Sequence, residues 1–494
     1  MLEALFQGFT SLFNLNVFAL MTLGVLIGIV FGIIPGIGSL AALSLLMPLV
    51  WGWKPEAALP FLLAVTCSSS QGGSITAVLV NVPGDAINAA TLLDGFPMSQ
   101  QGKAGRALAI VLTAGALGGL FGGVMAIALI PVVRPLALSL GSPELFFLVL
   151  LGISFITAIT EGKMVKGLIS GAIGLLLALF GYQSTTGIPR FTFGTQYLED
   201  GIKLIPLTLG LFAFPEVINI AVGGERISRA GAKVAAIGSD MLEGVKDIFR
   251  HFWLFLRCSA IGTVIGIIPG VGAQIATFIC YGHAKQTSKH PELFGHGSVE
   301  GVLAPESASN AKEGGALLTT LAFGIPGSSS MALLLGAFLI VGIAPGPKML
   351  EEHLALSFSL AWTTILANVI SSAILLAFAR QFVKIRFIDA RIMAPFILVF
   401  GVIAAYSVDN NITDVVSALL FTLLGYGAQH LGYSRAAIIL GYILGSMAES
   451  YFLRSLGAYG IGFPLRPLSL ITIALIVFGL SYNTLAKLWQ RGRE

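Results

Sequence analysis

The heptapeptide Gly-Ile-Ile-Pro-Gly-Ile-Gly at residues 32–38 recurs as Gly-Ile-Ile-Pro-Gly-Val-Gly at residues 266–272. In each half a small polar cluster with a Gly-Gly pair follows, at residues 67–74 and 309–316. A second Pro-Gly pair comes next, at 83–84 and 326–327. Three landmarks in the same order and at nearly the same spacing indicate that the chain contains two copies of one unit.

Both copies are built largely from apolar residues. Of the 494 residues, 56% are hydrophobic and only 11% are charged, and the mean hydropathy is +0.90. A soluble domain carries about a quarter charged residues, so this chain lacks the polar surface of a water-soluble globule. Apolar runs near the length that crosses a lipid bilayer lie at residues 17–34, 107–130, 355–379 and 468–480. The sequence therefore predicts an all-α polytopic membrane protein.

The basic residues predict how the chain is threaded. They are concentrated at residues 103–106, 163–166, 226–250, 380–391 and 487–493, and short basic loops favour the cytoplasmic side. Residues 1–16 and the loop containing Asp409 and Asp414 have no Lys or Arg. This pattern predicts a periplasmic N-terminus, a cytoplasmic C-terminus and about 12 transmembrane segments. A net charge of +4 gives no reason to expect a nucleic-acid partner.

This threading gives the two copies opposite orientations. The first heptapeptide ends a run that enters from outside, and the second ends a run that leaves the cytoplasmic segment. Such inverted repeats are common in secondary transporters. We therefore predict a first transmembrane repeat at residues 1–223, a cytoplasmic connector at 224–251, and a second repeat at 252–494.

Each copy contains two Pro-Gly pairs inside apolar sequence. Proline removes a backbone donor, and glycine permits unusual backbone conformations, so each pair predicts a broken or re-entrant helix. Broken helices persist at membrane depth only where they are buried in protein or line a cavity. Paired breaks in two repeats indicate a transporter's central site. We assign ion coupling to the first break of each copy, at Pro35, Gly36, Pro269 and Gly270.

Small polar residues surround the breaks. Helix N-termini opening after the breaks suit a carboxylate, and freed carbonyls with hydroxyls suit a sodium ion. The alternative is that small residues only let helices pack closely. The residues predicted to bind substrate are Ser68, Ser69, Ser70, Gly72, Gly73, Ser74, Asn310, Gly314, Gly315, Ser328 and Ser329.

Charged residues near these clusters have two interpretations. Asp85 directly follows Pro83-Gly84. It either caps the next helix or binds the coupling ion, sodium or a proton, and we predict ion coupling. Glu306, Lys312 and Glu313 flank the second cluster. Intramembrane ionisable groups are functional candidates, although Lys312 and Glu313 can also pair with each other.

Several motifs together resemble the large membrane subunit of the tripartite tricarboxylate transporters, the TctA-like family. They are the repeated heptapeptide and the sequences at residues 72–76, 94–98, 305–311 and 324–328. The resemblance implies a bacterial inner-membrane protein that works with a small four-helix membrane subunit and a periplasmic solute-binding protein. It also implies import of citrate or another organic carboxylate, driven by a sodium or proton gradient. Many members have Tyr-x-Gly and Asn-Asn where this chain has residues 67–71 and Ser309-Asn310, so citrate itself is not assumed.

Other functional classes fit the sequence less well. The apolar runs contain no acid–base or nucleophile pair, which argues against an enzyme. No P-loop is present, and no organic cofactor or metal site is expected. His283, His290 and His296 lack the tight pairing of zinc sites. A channel for small organic anions is the alternative, because it would accept broken helices, but it does not need inverted repeats.

Overall fold

The computed structural model describes most of the chain and omits the first break of each half. The described residues are 1–34, 38–155, 164–183, 187–223, 240–268, 273–382, 393–407, 409–474 and 476. Pro35, Gly36, Pro269 and Gly270, the residues predicted to couple ions at those breaks, therefore lie outside the described residues.

The described residues of the first half are mainly helical and include one short hairpin. Its antiparallel strands are β1 (Gly181–Tyr182) and β2 (Pro189–Arg190), with Gly181 opposite Arg190. A π-helix at Leu209–Ala213 joins α10 to α11, and short 3-10 helices lie at Pro48–Val50 and Ala86–Ala89. The α-helices are α1 (Leu2–Leu12), α2 (Leu15–Ile33), α3 (Gly38–Leu46), α4 (Pro55–Val80), α5 (Leu92–Gln100), α6 (Ala104–Leu138), α7 (Ser142–Phe155), α8 (Met164–Leu177), α9 (Gln196–Glu199), α10 (Leu204–Thr208) and α11 (Phe214–Gly223).

The described part of the second half is helical throughout. Short 3-10 helices lie at Pro291–Leu293 and Gly460–Leu465. The α-helices are α12 (Met241–Arg250), α13 (Phe252–Ile267), α14 (Ala273–Thr287), α15 (Val299–Phe323), α16 (Ser329–Ile340), α17 (Pro347–Glu352), α18 (Leu354–Ala377), α19 (Ala379–Phe382), α20 (Met393–Tyr406), α21 (Ile412–Leu431) and α22 (Arg435–Tyr459). The described end of the predicted connector is α12, which meets α13 at an angle of 77°.

Seven helical segments within the described ranges are long and apolar enough to cross a membrane. They include α2, α4, α6 and α18, and the bent pair α12–α13 would make eight. The multi-pass prediction is thereby confirmed, as are three of the four apolar runs. The run at 468–480 extends beyond the described residues. The expected count of about 12 spans stays a prediction, because several apolar helices, among them α3 and α16, are shorter than a bilayer is thick.

Two buried helices, α4 and α15, form the centre of the molecule. Nearly every residue of each is buried, including the polar ones. Both end in the left-handed conformation, α4 at Asn81 (φ 60°) and α15 at Gly324 (φ 67°). This conformation terminates a helix and turns the chain back toward the core. The polar residues predicted to form the site therefore lie on the two innermost helices.

Glycines let a second helix lie directly against each central helix. On α2, a Cβ atom added at Gly28 or Gly32 would lie 2.4 or 2.1 Å from the carbonyl oxygen of Val65 or Ser69 on α4. The contacts advance by four residues in both helices, so α2 and α4 run in the same direction. Only glycine permits so close an approach of two backbones.

The same arrangement recurs in the second half. A Cβ atom at Gly262 or Gly266 of α13 would lie 2.7 or 2.2 Å from the carbonyl oxygen of Ala308 or Lys312 on α15. Here too the contacts advance by four residues in both helices, so α13 and α15 also run in the same direction. The repeated heptapeptide therefore marks a repeated helix pair.

The packing corrects the sequence alignment of the polar clusters by one residue. Gly72 packs on the Ile29 carbonyl of α2, and its counterpart on the Thr263 carbonyl of α13 is Gly315, not Gly314. Gly84 lies against Gly73, and Gly327 lies against Ala316. Gly73 therefore corresponds to Ala316, which is the same one-residue shift. The Gly-Gly pairs therefore do not coincide in space. The backbone contacts determine which residues of the two halves are equivalent, and an alignment of the sequences alone does not reveal this.

The N-terminus and the predicted cytoplasmic connector contact different ends of α6. Arg106, near the start of α6, forms an ion pair with Asp247 of α12 at 2.5 Å. Arg134, near its end, donates to the Leu350 carbonyl and contacts Met1. A 35-residue helix is about 50 Å long. The N-terminus and the connector therefore lie at opposite ends of α6, as the threading requires, while their absolute orientation stays a prediction.

Candidate functional site

The central helices α4 and α15 cross antiparallel and contact each other through polar side chains. Ser74 Oγ donates to Glu306 Oε1 at 2.8 Å. Three to four residues away along each helix, Gln71 and Asn310 both lie beside Gly115 of α6, where a Cβ atom would clash with the Asn310 amide. Glycine at position 115 thus leaves the room that these two side chains occupy. Residues some 232 positions apart in sequence therefore meet directly.

Glu306 is the centre of a buried set of polar side chains, which we call the Glu306 cluster: Ser70, Ser74, Asn88, Thr91 and Glu306. Thr91 Oγ1 donates to Glu306 Oε1 at 2.5 Å, in addition to Ser74. Asn88 Nδ2 donates to Ser74 Oγ at 2.8 Å and to the Ser70 carbonyl at 3.0 Å. Glu306 Oε2 and Ser70 Oγ are both buried and have no hydrogen-bond partner among the described residues.

A second set of polar groups, the Asp85 cluster, comprises Ser39, Asp85 and Ser330. The backbone amide and hydroxyl of Ser39 donate to Asp85 Oδ2 at 3.0 and 2.5 Å. Asp85 therefore binds the N-terminus of α3, the helix that opens after the first break. Ser39 Oγ lies 3.3 Å from Ser330 Oγ in the first turn of α16. The N-termini of α3 and α16, one from each half, consequently face each other.

Asn88 connects the two clusters. Its side-chain oxygen accepts from the Asp85 amide at 3.2 Å, while its side-chain nitrogen donates into the Glu306 cluster. A continuous polar network thus runs from Ser330 through Ser39, Asp85, Asn88 and Ser74 to Glu306. It joins the two halves at both of its ends. The sequence analysis did not single out Asn88, Thr91 or Ser39, because each is an ordinary residue in a segment without a motif.

The remaining predicted site residues have mainly packing contacts. Ser68 Oγ donates to the Ala64 carbonyl of its own helix at 2.7 Å, and Ser328 Oγ accepts from the Met331 amide at 3.3 Å and so caps α16. Ser69 Oγ is buried without a partner among the described residues. Ser329 is half-buried. The four glycines Gly72, Gly73, Gly314 and Gly315 lie against neighbouring backbone or side chains, where a Cβ atom would approach within 3 Å.

A further polar set on α18 was missed by the sequence analysis. Gln71 Nε2 donates to Asn368 Oδ1 at 2.9 Å, and Gln71 Oε1 accepts from Ser371 and, at 2.8 Å, from Ser372. Every hydrogen-bonding atom of the Gln71 side chain is therefore satisfied between α4 and α18. The signal in the sequence was a run of polar residues in the otherwise apolar segment 355–379.

Lys312 and Glu313 form a buried ion pair, with 2.5 Å between Lys312 Nζ and Glu313 Oε1 and 4% or less of each side chain exposed. The simple pairing anticipated from the sequence is therefore confirmed. Two adjacent charges with a short mutual bond neutralise each other within one helical turn. Asn310, one turn earlier, donates to Ser309 Oγ at 3.0 Å, and its Oδ1 atom has no partner among the described residues.

A cavity of about 610 Å³ lies at the other ends of α3 and α16. Trp51, Lys203, Tyr442 and Arg454 are among its lining residues. Burial lowers the pKa of Lys203, but bonds to Asp409 and Asp414 outweigh it, so the net pKa is raised. Lys203 is thus charged and neutralised. Arg454 has no ion-pair partner among the described residues, and the lining also includes the acidic Asp200 and Asp409.

Buried polar clusters between membrane-length helices define this chain as a polytopic membrane protein with an internal polar network. The model of the tripartite tricarboxylate transporter TctA family matches residues 18–440, so the chain belongs to that family. TctA is a family of transporters rather than enzymes, and its members are the large subunit of a tripartite system.

Two relatives come from Agrobacterium vitis. One is described as the uncharacterized 52.8 kDa protein in the TAR-I ttuC' 3'region, and it is 34% identical over 438 residues, which cover 88% of this chain and 86% of the relative. The other, an uncharacterized protein in the TAR-II ttuC' 3'region, is 35% identical over 195 residues, covering 40% of this chain and 81% of the relative. No solved structure gives a significant match.

Proposed function

We propose that this protein is the permease subunit of a binding-protein-dependent secondary transporter in the bacterial inner membrane. It imports a tricarboxylate or a related organic carboxylate, driven by a sodium or proton gradient. Its partners are a periplasmic solute-binding protein and a small four-helix membrane subunit. Membership of the TctA family supports the transporter class, and the polar network supports a binding site inside the bundle.

One observation carries the proposal. The N-termini of α3 and α16 face each other, with Ser39 Oγ and Ser330 Oγ 3.3 Å apart. Both helices open after a predicted break, and both have at least nine residues. A helix N-terminus presents free amides and the positive end of the helix dipole, which favour an anion. The α3 end already binds one carboxylate, that of Asp85, and the facing α16 end with the Ser330 hydroxyl supplies donors for a carboxylate of the substrate.

The predicted substrate-binding residues fall into two groups. Ser70, Ser74 and Asn310 lie on the central helices, each with an atom in the buried network or without a partner beside it. Ser328 and Ser329 begin α16. Asp85 remains a candidate for ion coupling, and its present contacts are those of a cap on α3.

We further propose that residues 1–223 and 252–494 are inverted repeats. Helix α2 runs in the same direction as α4, and α13 runs in the same direction as α15. Because α4 and α15 are antiparallel, each helix pair enters from the opposite end of the bundle. Secondary transporters of this construction alternate access by moving one element against another. The cavity near Arg454 offers the anion an entry from the N-terminal end.

Uptake measurements test the proposal. Bacterial cells expressing the complete transporter are given radiolabelled citrate and a panel of other dicarboxylates and tricarboxylates, with and without a sodium or pH gradient. We expect accumulation above the external concentration for at least one compound. A channel would only equilibrate the compound. Absence of uptake for all carboxylates would contradict the proposal.

The variant Ser39→Ala/Ser330→Ala tests the site. Hydrogen bonds to charged groups contribute about 1.5–3 kcal/mol, so losing two hydroxyls should raise KM for the transported carboxylate by tenfold or more. Ser44→Ala is the matched control, because Ser44 lies on the same helix and donates only to the Ala41 carbonyl within α3. An unchanged KM in the double variant would move the site elsewhere.

A further inference from the structure

Glu306 is buried in an asymmetric environment. Only 1% of the residue is exposed. Its Oε1 atom accepts from two hydroxyls, whereas Oε2 accepts from no described residue. Ser70 Oγ is also buried without a partner. Ser70 lies one helical turn before Ser74, so it is on the same face of α4. Two orphan oxygen atoms therefore occur in one small polar cluster.

Other acidic residues near α15 have their charge satisfied. Asp94 accepts from the amides of Gly295, Gly297 and Ser298 and from the Tyr281 hydroxyl. Glu313 is paired with Lys312, and Asp85 binds the N-terminus of α3. Among the described ion pairs, none includes Glu306. Titratable groups also lie on α15 and on the helices packed against it, and Arg106 among them is bound to Asp247. They include Glu56, Cys67, Asp85, Asp94, Arg106, Arg134, Arg257, Cys258, Cys280, Tyr281, His283, Lys285, Glu300 and the Lys312–Glu313 pair.

A charged Glu306 carboxylate in this position lacks a counter-charge among the described residues. Removing a carboxylate from water costs several kcal/mol unless an opposite charge compensates it, and intramembrane acids mark ion or proton pathways. The two hydroxyl donors contact only one oxygen of Glu306. The other oxygen atoms of the cluster are the Ser70 hydroxyl and carbonyl and the Ser74 and Thr91 hydroxyls, whereas Asn88 presents its side-chain nitrogen as a donor. This donor set suits a hard monovalent cation and offers no sulfur or imidazole ligand.

We propose that Glu306, together with Ser70, binds the monovalent cation, sodium or a proton, whose gradient drives uptake. This inference rests on the proposed function and names its coupling residue. The network supplies the link to the substrate site, because Ser74 and Asn88 connect Glu306 to Asp85 and so to the N-terminus of α3. Neutralising Glu306 changes how strongly its Oε1 atom holds Ser74. The cation and the carboxylate thus act on one hydrogen-bonded chain.

Glu306→Gln is the principal test. Glutamine keeps a carbonyl acceptor for Ser74 and Thr91, has nearly the same size, and removes the negative charge. In cells expressing the complete transporter, we expect this variant to lose accumulation of the transported carboxylate. Exchange of labelled for unlabelled substrate needs no gradient, so it should survive. Accumulation with unchanged dependence on sodium and pH would overturn the inference, and so would loss of exchange in a correctly inserted variant.

Asp94→Asn is the matched control. It also neutralises a buried carboxylate near α15, but one that already has four donors. We expect less protein in the membrane and an unchanged dependence on sodium and pH per inserted molecule. If Glu306→Gln fails to insert, Glu306→Asp keeps the charge and shortens the side chain by one methylene. It should then shift the cation concentration for half-maximal uptake, and an unshifted value would overturn the inference.

Cation binding by the purified chain separates this inference from the proposed function. Radioactive sodium binding and the infrared band of a protonated carboxyl are measured for the wild type and for Glu306→Gln without any carboxylate. We expect one of the two signals in the wild type and its loss in the variant, and the signal that is lost identifies sodium or a proton. Retention of both signals in Glu306→Gln would overturn the cation site, whatever the substrate. A wild type that binds the cation but transports no carboxylate would contradict only the proposed function.

Discussion

The two halves of the molecule share a backbone arrangement and differ in the side chains at equivalent positions. Gly32 on Ser69 and Gly266 on Lys312 are equivalent contacts, so Ser69-Ser70 in the first half corresponds to Lys312-Glu313 in the second. Asp85 likewise corresponds to Ser328, and each binds the N-terminus of a helix. The repeat therefore preserves glycine contacts between helices, while the side chains at equivalent positions have diverged.

This divergence distributes charge unequally. At this position the first half carries two serine hydroxyls without described partners, and the second carries an ion pair in which Glu313 Oε1 contacts Lys312 while Oε2 has no described partner. Asp85 lies in the first half, yet its cluster reaches Ser330 of the second. Glu306 lies in the second half and binds Ser74 of the first. Each half thus supplies a carboxylate to a cluster that the other half completes.

The largest expected loss of stability comes from breaking the Lys312–Glu313 ion pair, which has no counterpart in the first half. Glu313→Gln leaves the Lys312 charge buried without a counter-charge, and breaking such a pair costs about 3–5 kcal/mol. The double variant Lys312→Met/Glu313→Gln removes both charges and should recover most of that loss. Thermal unfolding of the purified protein in detergent measures both. Equal destabilisation of the single and double variants would contradict the role assigned to the pair.

The second prediction tests whether the backbone contacts of the two halves are equivalent. Gly32→Ala and Gly266→Ala place a Cβ atom 2.1 and 2.2 Å from a carbonyl oxygen, so the paired helices must move apart. We expect each to lower the free energy of unfolding by about 1–3 kcal/mol, the usual cost of overpacking. The control is Gly282→Ala, where no atom lies within 4 Å. A much larger loss in one half would break the equivalence.

The smallest effects are expected at the two helix caps. Ser328→Ala removes the acceptor for Met331 and should cost about 1 kcal/mol. Asp85→Asn keeps an acceptor for Ser39 and removes the charge–dipole attraction, which is worth about 0.3–1 kcal/mol. We expect uptake by Asp85→Asn to keep its sodium and pH dependence, because the charge already stabilises α3. A lost ion dependence would instead identify Asp85 as a coupling residue beside Glu306.

Much of the fold class follows from the sequence. Low charge and long apolar runs predicted the membrane-spanning helices, because a bilayer requires such runs in any arrangement. The heptapeptide repeat indicated two copies of one unit, and α2 and α13 are the helices that lead into its two occurrences. The threading inferred from the basic residues stays a prediction, and the positions of Met1 and Asp247 at opposite ends of α6 are consistent with it. The sequence could select Ser70, Ser74 and Asn310 as candidates because polar residues stand out in apolar segments, and their role in binding stays a prediction.

Only the tertiary structure revealed which polar residues meet. The partners Ser74 and Glu306 are 232 positions apart, and no local pattern encodes that contact. The register of the repeat also needed coordinates, because it depends on which backbone atoms approach each glycine and not on which letters match. Asn88, Thr91 and Ser39 carry no signal of their own and gain significance from the carboxylates beside them. Composition and periodicity act along the chain, whereas a buried charge is satisfied by whatever folding brings within hydrogen-bonding distance.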